Sequence, residues 1–502
     1  MNNKPRNSYI TSRRREASAL DLRKALDRSQ ESVAGRRRTL ASPSARPETP
    51  KAFIFPENLP KEGTVYNPER PATRELKDII EKNYYTANFE DAIATVSKQQ
   101  IPELDKIKTL DQFYYYVDQL VTWIPEIRVW DWNGETIHER TPYLRICQFY
   151  YYFNQPSLVA LQSPITPVEG AILSPVSLWL REFAVEWGEF LSTPESSEHL
   201  ESFKYAPEYC CQEFEEPSGG YDSFNAFFVR TFKEIAIQRP VAQEDNDRVI
   251  VFPAESTFVG HWPVSTDMGA PLPCPPSVVV KHIEWPIKEL LQDSEYKDFF
   301  EGGTFCHSFL NTYDYHRQHT PVSGKVLEAK FIPGQVYLDV QVQDQAKTGL
   351  EHGDIARAVI PQRFLDADDP TGYQFVQCRG LIILDSPIGK VAILPMGMAQ
   401  VSSVVFVTPK ANKHQPILLS SEEKAGRSYD EQVKLVNEKI TKELVGKTLS
   451  KGEMFSYFQF GGSDCVMVFE RKANVNFTAE IGAHYLLRSQ YAISNINKIE
   501  KV

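Results

Sequence analysis

The feature that most limits how this chain can fold is a change of period at Gly219-Gly220. Before it, apolar residues recur at helical spacing. Leu110, Phe113, Val117, Leu120 and Val121 fall on one helix face. Ser174 can cap a second helix, Pro175 suits its first turn, and Val176, Trp179, Leu180, Phe183, Trp187, Phe190 and Leu191 form its apolar stripe. Trp123, Trp130, Trp132 and tyrosines 114–116 and 150–152 fit a packed core better than an aromatic ligand cage. After the glycine pair, β-branched runs at 248–252, 278–281, 325–330, 336–342, 381–385, 391–395, 401–407 and 465–470 are separated by turns. One helix interrupts them at 430–444, where Val433, Val436 and Ile440 keep helical spacing. The expected fold class is α+β: a helical N-terminal domain over 73–218 followed by a β-rich domain over 220–502.

Charge sets the first 50 residues apart. They hold 12 Lys+Arg and 5 Asp+Glu, with runs at 13–15 and 36–38, against 43 and 61 in the remainder, so a tail of +7 precedes a body of −18. The tail has no sustained apolar period, which predicts disorder over 1–50. Glu16, Asp21, Asp27 and Glu31 interrupt its basic face, unlike a mitochondrial transit peptide. An acidic body argues against a nucleic-acid groove. No stretch approaches the about 18 to 20 apolar residues of a membrane span. Seven irregularly spaced cysteines suggest neither a zinc site nor a disulfide framework, so a reducing, cytoplasmic setting is expected.

Three short segments place reactive side chains beside turn formers. In F-G-G-S-D (460–464) two glycines permit a sharp backbone and close approach of Ser463 to the Gly462 carbonyl, although such runs are also common loop material. In Y-H-R-Q-H-T-P (315–321) His316 and His319 could serve as acid and base; a metal pair would lack its third ligand. In F-P-A-E-S-T (252–257) Glu255 stands at a strand end. Serine, histidine and carboxylate together can make a nucleophile, base and orienter, a set open to a self-processing enzyme, a serine hydrolase or an inactive scaffold.

These segments, with Y-D-S-F-N-A-F-F-V-R-T-F (221–232), Arg239-Pro240, G-M-A-Q-V-S-S (397–403) and K-G-E-M-F-S-Y-F-Q-F-G-G-S (451–463), resemble the phosphatidylserine decarboxylase family of pyruvoyl enzymes over roughly 220–490. The resemblance implies that the chain cuts itself between Gly462 and Ser463, that Ser463 becomes the covalent pyruvoyl cofactor, and that the two products stay associated. It implies that His319 is the base of the self-cleavage relay, that Glu255 orients it in place of the usual aspartate, and that His316 serves decarboxylation. No metal is implied. Glu for Asp and G-G-S-D for the commoner L-G-S-T are departures shared in part with a fungal branch that contains tryptophan decarboxylases. S-P-V-S-L-W-L-R-E-F (174–183) resembles that branch too. The implied substrate is therefore a free aromatic amino acid, such as L-tryptophan in secondary metabolism, decarboxylated through a Schiff base. Phosphatidylserine, in phospholipid synthesis, is the alternative.

Overall fold

The computed structural model describes residues 55–496 apart from 133–134, 139–140, 166–171, 266–276, 281–282, 345–362, 368–371 and 398–403. The expected tail over 1–50 and most of the G-M-A-Q-V-S-S segment lie outside that range, as does the side chain of Ser463.

The fold is α+β. The helix Leu110–Val121 begins where the Thr109 hydroxyl accepts a bond from the Gln112 amide, and it buries Phe113, Val117, Leu120 and Val121. In Pro175–Phe190 the Ser174 side chain accepts from Ser177 N; Val176, Trp179, Leu180, Phe183 and Trp187 are buried. Tyr429–Leu444 starts with a reciprocal cap between Ser428 and Glu431. Trp123 and tyrosines 114, 116 and 150–152 are buried in the core.

An eight-stranded antiparallel sheet carries the second part. Its spatial order is Thr448–Leu449, Gly324–Ile332, Arg379–Ser386, Gly389–Gly397, Gly462–Phe469, Thr304–Phe309, Ser256–Pro263 and His484–Tyr485. Both faces are buried. Ile382, Leu384, Cys465 and Met467 join the large core that also takes in the helices, while Leu381, Ile383, Val466 and Val468 join a second core on the opposite face. That is why these strands read as unbroken apolar runs, because a sheet covered on both sides has no polar face to alternate with. Near one edge, Asn437 of the Tyr429–Leu444 helix accepts from Phe331 N at 2.7 Å and donates to Phe331 O at 2.9 Å, occupying backbone groups an edge would leave open.

Two sequence expectations need correction. Residues 336–340 are not in a strand: Asn154 donates to Leu338 O at 3.0 Å and accepts from Val340 N at 2.7 Å, so a helix-end amide satisfies this backbone and pairing begins only at Gln341–Asp344. The helical region also holds a hairpin, Val129–Trp132 with Glu135–His138, too short for its period to stand out between longer helices.

Candidate active site

The cleavage segment enters the sheet through a tight turn. Gly461 has φ +101°, a left-handed conformation that disfavours side chains. The strand Gly462–Phe469 follows, lying between Gly389–Gly397 and Thr304–Phe309, with an irregularity in register at Met396/Gly397 opposite its first residues. Phe460 is buried against Trp187, Phe224 and Phe228 at centroid distances of 6.2, 5.2 and 5.4 Å. Asn225 ties this turn to the helical region: its Oδ1 accepts from Phe460 N at 3.3 Å, and its Nδ2 donates to Gly188 O at 3.0 Å.

The two histidines of Y-H-R-Q-H meet opposite surroundings. His319 ends the short strand Arg317–His319, and its backbone N–H donates to Pro253 O at 2.8 Å, which lays F-P-A-E-S alongside it. Its Nδ1 is 2.8 Å from Gly452 O. A carbonyl only accepts, so Nδ1 carries the hydrogen and Nε2 keeps its lone pair. Arg488 donates to the same carbonyl from Nε at 3.0 Å and Nη2 at 2.6 Å. Tyr315, whose phenol burial pushes up to about 12, stays protonated with its oxygen 3.5 Å from Nε2. Burial, then the Arg488 charge, holds His319 well below the ordinary imidazole range, so it rests neutral, the form a base requires. Gly452 must be glycine: φ is +78°, and a Cβ would stand 2.6 Å from Val241 Cγ2.

His316 is stacked on Phe228 at 3.8 Å, and neither of its buried ring nitrogens makes a hydrogen bond of normal geometry. Burial, then the charge of Arg230, depresses it strongly; the nearby backbone of Asp314 and Asn311 opposes this without reversing it. Among the described residues no group of three metal-ligating side chains gathers.

Glu255 is buried and hydrogen-bonded to Arg239 Nε, and Arg239 reaches Glu213 through Nη2 at 2.8 Å. The expected direct bond from Glu255 to His319 is not formed. A buried carboxylate is costly unless paired, and the guanidinium is the stronger partner. Burial raises the Glu255 carboxyl above its ordinary range, and Arg239 pulls it back. Asp314 and His484 form a second pair at 2.8 Å; desolvation opposes the charge on His484, but Asp314 raises its pKa overall.

One polar cluster had no sequence signal. Asp464, directly after Ser463, accepts from Gln374 Nε2 at 3.1 Å and stands 3.3 Å from His307 Nε2, all of it buried. The partners are far apart in the chain, as are Asp314 and His484, so only folding reveals them. Arg230 and Arg239 could have been noticed, since an arginine set among aromatic or β-branched residues is often a buried one with fixed partners.

Comparison with known proteins decides the family. The model of the phosphatidylserine decarboxylase family matches residues 224–491. The chain belongs to this family. It is a decarboxylase. The phosphatidylserine decarboxylase proenzyme of Fusobacterium nucleatum is 27% identical over 293 residues, 58% of this chain and 74% of that protein. Decarboxylase iboD of Amanita muscaria is 26% identical over 328 residues, covering 60% of this chain and 80% of its own length. An L-tryptophan decarboxylase of Psilocybe cyanescens is 29% identical over 124 residues, 24% of this chain and 26% of that one. No helix among the described residues is long and apolar enough to cross a membrane.

Proposed function

We propose that this decarboxylase matures by cutting itself between Gly462 and Ser463 and then acts on a free amino acid. The observation that carries the reading is that a segment matched by the family enters a central strand through a left-handed glycine, at the serine the family uses. Neutral His319 takes the Ser463 hydroxyl proton at Nε2, and the serine oxygen attacks the Gly462 carbonyl, so the amide becomes an ester. Elimination frees a chain ending at Gly462 and leaves dehydroalanine, which tautomerises, takes up water and releases ammonia, leaving a pyruvoyl group on Asp464 N. Glu255, clamped by Arg239, supports this step by fixing the segment laid alongside His319, not through a direct bond.

The residues present fit such a group. It would head an inner strand braced by the Asp464–His307–Gln374 cluster, and His316, stacked within the aromatic cluster of Phe460, has two buried nitrogens held by no hydrogen bond of normal geometry. A pyruvoyl group supplies a carbonyl that captures a substrate amine and withdraws the electrons released with carbon dioxide. His316, neutral at rest, takes up a proton released as the substrate ammonium condenses and returns it to the α-carbon, and its aromatic walls keep water away.

Likeness to a tryptophan decarboxylase and a body of charge −18, which anionic membranes repel, favour a free aromatic amino acid, L-tryptophan first. The broader match to a phosphatidylserine decarboxylase proenzyme favours the alternative lipid substrate. Purified, cleaved protein should be incubated with a panel of amino acids and with phosphatidylserine micelles while carbon dioxide and amine are measured. Amine from tryptophan without detergent is the expected result; phosphatidylethanolamine alone would select the lipid.

A further inference from the structure

Arg230 is out of keeping with its surroundings. It is 2% exposed, yet no carboxylate among the described residues pairs with it. Its Nη2 donates to the carbonyls of Tyr313 at 2.7 Å and Asp314 at 3.3 Å, while Nε and Nη1 are buried without a hydrogen-bond partner. The guanidinium lies 4.3 Å from the Phe214 ring centroid and 5.2 Å from that of Phe227. Ring faces attract a cation, but they cannot satisfy N–H donors in the plane of the guanidinium. A buried charge with two idle donors is expensive, and such sites are ordinarily completed by an anion.

There is room for one. Arg230 lines a cavity of about 200 Å³ together with Phe214, Phe227, Tyr221, Lys204 and Glu216. At its rim Lys204 bonds Glu216 at 3.1 Å and Glu201 at 2.9 Å, so these exposed charges answer one another in contact with water. The unanswered charge is at the buried wall.

We propose that this cavity is an anion subsite in which an idle N–H of Arg230, on Nε or on Nη1, donates to a carboxylate or phosphoryl oxygen. Nε–H lies beside Nη2 and Nη1 lies on the far edge of the planar guanidinium, so the two idle donors face different directions and an oxyanion meets one of them at a time. The group bound is not the carboxylate that leaves. Decarboxylation disperses that charge, and a guanidinium would hold it in the ground state. The subsite therefore takes a second, non-reacting anion, either part of the substrate or a separate small molecule. It also reaches the catalytic region, because Arg230 is one of the causes keeping His316 unprotonated, and an anion on Arg230 would relieve that cause.

The test uses the full chain carrying Ser463→Ala, so binding is read without turnover and its failure leaves the decarboxylase reading intact. Calorimetric titration with inorganic phosphate, acetate and glycerophosphoserine should give millimolar or tighter binding for at least one of them. Arg230→Met should weaken that binding at least tenfold, and Glu216→Gln, which removes a competing negative charge at the rim, should tighten it. Preferential binding of glycerophosphoserine assigns the anion to a lipid headgroup; equal or better binding of free phosphate or acetate assigns it to a small anion. Unchanged affinity in Arg230→Met overturns the proposal, as does a lack of binding by all three compounds. Should Arg230→Met fail to fold, an unchanged affinity in Glu216→Gln overturns it instead.

Discussion

His319 and His316 lie three residues apart, and the regions around them are built on opposite lines. Around His319 the backbone does the work: the Gly452 carbonyl fixes the tautomer, Arg488 braces that carbonyl, and Pro253 holds the main chain. Around His316 there is stacking, the charge of Arg230 and only weak contact with the Asp314 and Asn311 backbone, with no hydrogen bond of normal geometry to fix which nitrogen carries the proton. A base that acts once during maturation benefits from being locked in one form. A group that must hand over a proton in every turnover benefits from being left open to its ligand.

The largest effects should come from removing the two rings. His319→Ala should stop cleavage, leaving the intact 57.3 kDa chain by mass spectrometry. His316→Ala should still yield a fragment of residues 463–502 but lose about 100-fold to 10,000-fold in turnover. Equal loss of cleavage in both variants would break the contrast.

Next comes the clamp. Arg239→Leu strands the buried Glu255 carboxylate, at a cost of about 3–5 kcal/mol. Urea unfolding of the Ser463→Ala chain would read that loss, and Arg239→Leu with Glu255→Leu should recover most of it. A double variant as unstable as the single one would show that packing, not charge, is at stake.

A smaller effect concerns pH. Both imidazoles are depressed by burial in the folded chain, whereas in the unfolded chain they titrate near the ordinary histidine value of about 6.5. Below that value the unfolded state binds more protons, so their contribution falls as pH falls, each by about 1.4 kcal/mol per pH unit. His484, raised by Asp314, works the other way, because it takes up its proton more readily when folded. His316→Leu should flatten the decline of stability between about pH 6.5 and 5. An unchanged slope would mean that His316 is protonated in the folded chain. The smallest effect is that of Tyr315→Phe, which removes a contact of only 3.5 Å and should slow cleavage by less than about tenfold.

Much of this arrangement could be read in the residues themselves. The caps at Ser174 and Ser428, the stripe from Val176 to Trp187, and the inner strands at 381–385 and 465–469 declare themselves because their signals are local. The strand Ser256–Pro263 leaves no clear period because Gly260 and Pro263 break its pattern, and 336–340 reads as a strand because an extended apolar run does not say whether its backbone will find a strand or an asparagine. In the site, Glu255, His316 and His319 stood out as residue types beside turns. Of their partners, Arg239 and Gly452 were legible only as members of motifs and Arg488 not at all, since who pairs with a buried group depends on chain segments as much as 169 residues apart.

Asn225 has a further consequence. Its side chain holds Phe460 N on one side and Gly188 O on the other, and Trp187 closes over the Phe460 ring. The turn before the proposed cut thus has the geometry described here only when the Pro175–Phe190 helix is already seated. Cleavage by elimination, followed by loss of ammonia, does not run backwards, so each cut molecule would carry a permanent covalent record that its distant halves had met. The ratio of cut to whole chain in a cell would then count assembly events, and variants such as Asn225→Ala or Trp187→Ala would first appear as delayed maturation, before any loss in the chemistry of molecules already cut.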